Sequence, residues 1–401
     1  MANVSILSDF VSVHGQPINT VEMHTTGEPT RIIYSGFPQP QGHTLLQKMT
    51  DAKLRYDNLR RRLMLEPRGH SIMYGALLIH GTEFTSTGEA DVGVLFMHNE
   101  GWSTMCGHAT IALGRFLVDF DTNACPELFP RRDLKLDTGT MTTTINLHCP
   151  CGVVNITVPV TIDTNEKLKS DPERDVSFVS VESYALGIAT EISLTPAYRW
   201  PELGNRTAVT ADFCYGGAFY CVIEARELGF AEGLKSSNID VYQRAAACLE
   251  AAIVANPQYK RLYQHPASQE LSFLYGVIIT DEQQGEAAKE TAGGDTCLCF
   301  FAGGQIDRSP TGSGVAARRA LAHAKGILPP DNKWTYHSLV SVAHDGVGAF
   351  IAKLACNNND RTARGADDSV KIQIEGSAFY TGFATFLAEP TDIISNAGFE
   401  L

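Results

Sequence analysis

The 401-residue chain contains no run of about 18 apolar residues, the length a membrane-spanning helix needs. Its first residues, MANVSILSDFVSVHGQ, lack the basic segment and apolar core of a secretory leader, so a soluble, cytoplasmic protein is expected. Cysteine is sparse: ten in a chain of this length are too few for a disulfide scaffold, and reduced thiols are expected. None stands in a C-x-x-C spacing. Cys149 with Cys151 and Cys297 with Cys299 are C-x-C pairs, and His148 beside the first does not complete the usual zinc pattern, so no metal centre is expected. Positive charge is also short. Lys and Arg number 32 against 45 Asp and Glu, a net charge of −13, which argues against nucleic acid or anionic membrane as the main partner and favours a small molecule. No short-period repeat is present.

What the chain does have is bulk and two matching corners. At 44% hydrophobic it can bury a substantial core, and its length predicts two domains. The first corner is MCGHATIALGRF, residues 105–116; the second is DRSPTGSGVAARRAL, residues 307–321. In each, a small reactive-type residue (Cys106, Thr311) is followed by glycine (Gly107, Gly312) and then by apolar residues at helical spacing. Strand-like runs precede both, at 92–97 and 297–301, so each motif reads as a strand-loop-helix corner. The first turn of a helix leaves N–H groups unpaired and carries partial positive charge, which suits a carboxylate or phosphate. Glycine there admits a ligand close to the backbone, and a cysteine there gains acidity.

The rest of the chain frames these corners. A strand, the turn TTGEPT and a second strand follow residue 19; His24 and Glu28 read as turn and hydrogen-bonding residues. Residues 45–63 read as one amphipathic helix. Strands are predicted at 142–147, 153–160 and 176–181, with a domain boundary in 184–196. Gly216-Gly217 between aromatic runs predicts a hairpin or a close approach to a ligand. A helix at 241–254, a buried strand at 271–280, strands at 336–342 and 346–355 and strand pairs over 370–387 complete the reading. Residues 1–16 read as a loose leader and 357–368 as a mobile loop. The longer stretches near 119–135, 281–296 and 357–368 read as surface elaboration. The shared order of the two half-chains predicts a pseudo-duplicated, two-lobed α/β protein whose corners face across a cleft.

Six blocks in this sequence resemble the proline racemase family: HTTGEPTR at 24–31, LMLEPRGH at 63–70, HNEGWSTMCGH at 98–108, DFCYGGAFY at 212–220, DRSPTGSG at 307–314 and EGSAFYTGF at 375–383. The resemblance implies an α/β (α+β) fold with two similar lobes of the diaminopimelate epimerase type closing over a cyclic amino acid. It implies lobes at 17–187, carrying Cys106 and completed by 375–401, and at 188–374, carrying Thr311. It also implies a homodimer and the absence of any metal or pyridoxal cofactor. Asp307 would contact the ring amine, His108 would lie near the substrate, and Gly107, His108, Gly312 and Ser313 would bind the substrate carboxylate through their backbone.

Racemases and epimerases of the family use two cysteines on opposite faces of the substrate. Here the second position is Thr311, whose hydroxyl is far too weak an acid to replace a thiolate near neutral pH without a neighbouring base. Ala109 and Ser313 also stand where glycine and threonine are usual. The Cys/Thr pair resembles the family members that dehydrate trans-3-hydroxy-L-proline, which implies a lyase with Cys106 as the single α-proton base and Thr311 as a positioning group. Three alternatives stay open: a 4-hydroxyproline epimerase or proline racemase, a non-catalytic amino-acid-binding protein, and a zinc-binding module. The donor to the leaving hydroxyl is also open between His108 and another group, His108 being otherwise a capping or orienting residue.

Overall fold

The computed structural model describes residues 17–120, 134–355, 369–389 and 391–399. The leader at 1–16, most of the loop at 119–133 and the loop at 357–368 lie outside these residues.

Among the described residues nineteen strands pair into one sheet. In chain order they are β1 (Ile18–Thr25), β2 (Glu28–Ser35), β3 (Tyr74–Ile79), β4 (Val92–His98), β5 (Trp102–Ser103), β6 (Thr142–Cys149), β7 (Gly152–Ile162), β8 (Leu168–Ser170), β9 (Val176–Val179), β10 (Tyr184–Ser193), β11 (Ala208–Tyr215), β12 (Phe219–Glu224), β13 (Leu274–Asp281), β14 (Gly294–Phe301), β15 (Gln305–Asp307), β16 (Trp334–His337), β17 (Phe350–Leu354), β18 (Ile372–Gly376) and β19 (Phe379–Phe386). The principal helices are α1 (Leu45–Arg55), α2 (Asp57–Met64), α3 (Glu83–Thr87), α4 (Gly107–Asp119), α5 (Ile239–Ala255), α6 (Gly312–Ala324), α7 (Leu339–Ala343) and α8 (Ile393–Asn396).

The pairing repeats. Neighbours run β19–β1–β2–β3–β4–β6–β7–β9, with orientations antiparallel, antiparallel, parallel, antiparallel, parallel, antiparallel, antiparallel. The second series, β10–β11–β12–β13–β14–β16–β17–β18, has the same orientations in the same order. The series join where β9 pairs with β18. Short β5 and β15 fold back on β4 and β14, and each leads directly into a long helix.

Those helices are the axes of the two series. α4 packs on β1, β2, β7, β8 and β9, and α6 packs on β10, β11, β12, β17 and β18. Every residue of α4 from Gly107 to Phe116, and every residue of α6 from Gly312 to Leu321, is buried. A helix wrapped by sheet must be small and apolar all round, which explains the runs ATIALG and GVAA. The charged exceptions have internal partners: Arg115 donates to Ser170 Oγ and the Ala378 carbonyl, Arg318 pairs with Asp295, and Arg319 reaches the Pro329 carbonyl, although Arg318 Nη1 and Arg319 Nε and Nη1 are buried with no partner among the described residues. Strands β3, β4 and β13 are buried along their whole length, as their apolar runs require when both sheet faces are covered, with polar residues only at the ends of β4 and β13. Outer layers cover the far faces: α1 and α2 over the first series, with Leu45, Met49, Leu63 and Met64 buried, and α5 over the second.

Two predicted elements differ, and one strand is additional. The helix at 45–63 breaks at Tyr56, where φ −126° and ψ 14° end α1; Asp57 opens α2 and pairs with Arg60, so two shorter helices turn both apolar faces inward. The predicted strand 336–342 stops at His337, because Ser338 and Ser341 form a reciprocal capping box that starts α7. A further short strand, β8, lies between the strands predicted at 153–160 and 176–181. No helix among the described residues is long and apolar enough to cross a membrane.

Candidate functional site

The two corners meet at their backbones. A Cβ built on Gly107 would lie 2.4 Å from Gly312 Cα, and one built on Gly312 would lie 2.6 Å from Gly107 Cα. Only glycine at both positions lets the starts of α4 and α6 touch. Two helix dipoles therefore point their positive ends at one place. Among the described residues the N–H groups of Gly107, His108, Gly312 and Ser313 have no hydrogen-bond partner, so this place can hold a carboxylate.

The residues heading the helices are held differently. Cys106 has extended backbone, φ −147° and ψ 110°, and its sulfur caps α4 by accepting from Ala109 N–H at 3.4 Å. Thr311 has φ 65° and ψ 88°, in the left-handed region, and its hydroxyl caps nothing. Thr311 Oγ1 is buried and meets no full hydrogen-bond partner among the described residues, with the Cys299 thiol its polar neighbour. Its N–H donates to Ser309 Oγ at 3.1 Å, and Ser309 N–H donates to Asp307 Oδ1 at 2.8 Å. The predicted hairpin at Gly216-Gly217 is present, with Tyr215 opposite Phe219. It presses on the start of α6, and Tyr220 Oη lies 2.6 Å from Ser313 Oγ.

Around this junction lies a buried ionisable cluster. His108 places Nδ1 3.3 Å and Nε2 3.4 Å from Cys106 Sγ, with Nδ1 4.0 Å from Asp307 Oδ2. Tyr74 meets the His108 ring edge-on at 4.9 Å, and Thr25 Oγ1 donates to the His108 carbonyl at 3.0 Å. Glu28, 1% exposed, accepts at Oε2 from Arg308 N–H at 2.9 Å and from Arg308 Nη1 at 3.2 Å. Contrary to the gain in acidity expected of a cysteine at a helix start, burial pushes the Cys106 thiol well up, and the charges of Asp307 and Glu28 add to this, while Ala109 N–H and the Tyr74 hydroxyl act the other way. Burial holds His108 below its ordinary value, although Asp307 and the Pro29 carbonyl oppose this. Burial and then Asp307 raise Glu28 well above the ordinary carboxylate range, against the pull of Arg308.

All seven residues singled out from the sequence come together here: Cys106, Gly107, His108, Asp307, Thr311, Gly312 and Ser313. The chain order hid Glu28, Tyr74, Tyr220 and Arg308. Glu28 had a signal, since it lies within the TTGEPT turn beside His24, but a turn residue was the ordinary reading. His24 is half-buried on β1, with Nδ1 accepting from Gly27 N–H at 3.1 Å, as a turn residue does. His148 Nδ1 lies 2.9 Å from Thr82 Oγ1, and no group of three or more metal-ligating side chains occurs among the described residues.

Comparison with known proteins adds to this geometry. The family model described as proline racemase matches residues 20–400. A protein of Xenopus tropicalis named trans-L-3-hydroxyproline dehydratase is 38% identical over 386 residues, covering 95% of each chain. A human protein named trans-3-hydroxy-L-proline dehydratase is 37% identical over 380 residues, covering 94% of this chain and 93% of its own. Among solved structures, a hydroxyproline epimerase from Agrobacterium vitis, with bound trans-4-hydroxy-L-proline, superposes with a TM-score of 0.74 at 20% identity, covering 97% of this chain and 96% of the other; this likeness establishes the fold.

Proposed function

The chain belongs to the proline racemase family, and from that premise we propose that it is a trans-3-hydroxy-L-proline dehydratase, a hydro-lyase that forms Δ1-pyrroline-2-carboxylate. The observation that carries the reading is the asymmetry of the two corners: a thiol on His108 at one helix start, an unpartnered threonine hydroxyl at the other. The relatives named for this activity at 37–38% identity support it.

The substrate's stereochemistry fits a one-sided site. In trans-3-hydroxy-L-proline the carboxylate and the hydroxyl lie on opposite ring faces, so the Cα hydrogen and the hydroxyl share a face. A racemase must serve both faces, whereas this dehydration needs chemistry on one. The substrate carboxylate sits on the N–H groups of Gly107, His108, Gly312 and Ser313, and Asp307 takes the ring ammonium. Cys106 gives its proton to His108, where Asp307 stabilises the imidazolium, and the thiolate removes the Cα proton. The helix dipoles stabilise the negative charge that develops at the carboxylate. The Cα–H electron pair becomes the Cα–C3 double bond, the C3–O bond breaks, and the enamine tautomerises to the cyclic imine. Thr311 offers its hydroxyl from the other face as a positioning group.

The reading extends to the architecture. The two strand series are the two lobes, divided between β9 and β10, with β19 completing the first by pairing with β1. The protein is cofactor-independent, cytoplasmic and a homodimer in this account.

The test is proton NMR of the purified protein, without added cofactor, on trans-3-hydroxy-L-proline, trans-4-hydroxy-L-proline and L-proline separately. Conversion of the 3-hydroxy compound alone to a pyrroline carboxylate is expected. Inversion at Cα of either of the others would transfer the chain to the racemase and epimerase reading, and Thr311 or a neighbour would have to serve as second acid.

A further inference from the structure

The dehydration leaves one proton unassigned, the one that turns the departing hydroxyl into water. We propose that Glu28 is the catalytic acid that donates this proton, an inference that rests on the dehydratase reading. Because the Cα hydrogen and the hydroxyl share a face, the acid must stand on the Cys106 side of the ring. This excludes Thr311. On the Cys106 side, Ser103 Oγ is already donating to the Met105 carbonyl at 3.0 Å. The Tyr74 hydroxyl, pushed well up by burial, is the poorer acid. His108 has its ring held between Cys106 and Asp307, and the proton it takes from the thiol must go back to the sulfur to restore the resting thiol after Cys106 has delivered the Cα proton.

Glu28 has the remaining qualifications. It heads β2 in the same strand series as Cys106, and the turn before it is tied to the Cys106 helix by the Thr25–His108 carbonyl bond. Both Arg308 donors fall on Oε2, and no donor falls on Oε1 among the described residues. The carboxyl is therefore anchored by one oxygen and has the other available for an O–H. It is close enough to Cys106 and Asp307 that the charges of the three perturb one another. Burial and the charge of Asp307 favour its protonated form, while the two bonds from Arg308 stabilise the carboxylate left when the proton has gone.

The step balances. Cys106 gains the Cα proton, the C–H pair forms the double bond, the C3–O pair leaves with oxygen, and the Glu28 proton joins it as water. Cys106 then returns its proton to C3 as the enamine becomes the imine, and the nitrogen proton released in that step restores Glu28.

The experiment compares Glu28→Gln with the wild type on two substrates and one exchange reaction. Glutamine keeps the shape and an acceptor for Arg308 but has no acidic proton. On trans-3-hydroxy-L-proline the variant should lose about 100-fold or more in kcat, the scale of general acid catalysis. On trans-3-chloro-L-proline, whose chloride departs without a proton, it should stay within about threefold of wild type. In D2O it should still exchange the Cα hydrogen of L-proline, which shows that Cys106 and the fold are intact. Equal losses on all three would make Glu28 a structural partner of Arg308 and overturn the proposal. Hydroxyl turnover within about threefold of wild type would overturn it in favour of His108. Wild-type enzyme that leaves the 3-hydroxy compound undehydrated but inverts proline would refute the dehydratase reading instead, a result distinct from either.

Discussion

Replacing Gly312 with alanine tests whether the abutting helix starts are the carboxylate site. Two effects compete in the variant. Alanine is the better helix former, by up to about 1 kcal/mol, so at an open position Gly312→Ala would stabilise α6. At this position the new Cβ would lie 2.6 Å from Gly107 Cα, against 3.4 Å for ordinary contact, and the atom it meets is backbone that cannot rotate away. The helix starts must part by about 0.8 Å, and overpacking of that kind costs about 1–3 kcal/mol. The second effect wins, so the thermal midpoint should fall by a few degrees. Function should suffer more than stability. The four N–H groups separate as the helices part, the carboxylate shifts with them, and the Cα hydrogen moves off the Cys106 sulfur; a displacement near 1 Å is worth about 100-fold. The assay is kcat and KM for dehydration beside a melting curve, with Gly81→Ala as control because nothing lies within 4 Å of a Cβ there. A Gly312→Ala protein with raised midpoint and unchanged kcat/KM would refute the convergent-helix site.

Two further outcomes follow from the cluster and its surroundings. Cys106→Ser should lose at least about 1,000-fold in dehydration and all Cα deuterium exchange, because a serine hydroxyl cannot supply the base; retained exchange in a mass-spectrometric assay would remove Cys106 from its role. His98 is held down to about 3 by burial, then by Arg60 and Lys53. The unfolded chain therefore binds a proton that the folded chain refuses between pH 6.5 and about 3, and stability is lost as pH falls through that window, by up to about 1.4 kcal/mol per unit. His98→Gln should flatten this slope in urea midpoints taken across it, and an unchanged slope would show that other groups set the acid limit.

The corners were legible because chemistry and periodicity coincide in them: a small polar or thiol residue, glycine, then apolar residues at helical spacing. That is enough to place Cys106 and Thr311 at helix starts. The matching order of the half-chains was legible too, since the strands keep alternating or apolar runs between Gly and Pro punctuation. Tertiary relations were not. Glu28 reads as a turn residue because its burial and its bonds depend on Arg308 and Asp307, which are remote in sequence and become neighbours only when β15 is brought beside the β1–β2 turn. The break at Tyr56 was hidden for a related reason: residues 45–63 keep a helical period throughout, and only the need to bury Leu45 and Met49 together with Leu63 and Met64 makes two helices better than one. The strand predicted through Val342 failed on a local signal, Ser338 three residues before Ser341, which apolar content outweighed.

The strain at Thr311 explains how two topologically equivalent corners come to do different work. A threonine at a helix start usually has extended backbone and spends its hydroxyl on the N–H groups of the first turn. Cys106 follows that pattern with its sulfur, which accepts from Ala109. Thr311 does not, because at φ 65° its side chain is turned away from those N–H groups. A β-branched residue in this region costs about 1–3 kcal/mol and persists only where its surroundings impose it. Here the imposing bonds run from Asp307 Oδ1 to Ser309 N–H and from Ser309 Oγ to Thr311 N–H, so the carboxylate assigned to the substrate amine also clamps the corner. The consequence is chemical. A relaxed Thr311 would consume its own hydroxyl and one first-turn N–H in capping α6. In the proposed reaction the strained one leaves the N–H groups of Gly312 and Ser313 for a carboxylate and its hydroxyl for the opposite ring face, where the dehydration would need an orienting contact and no base.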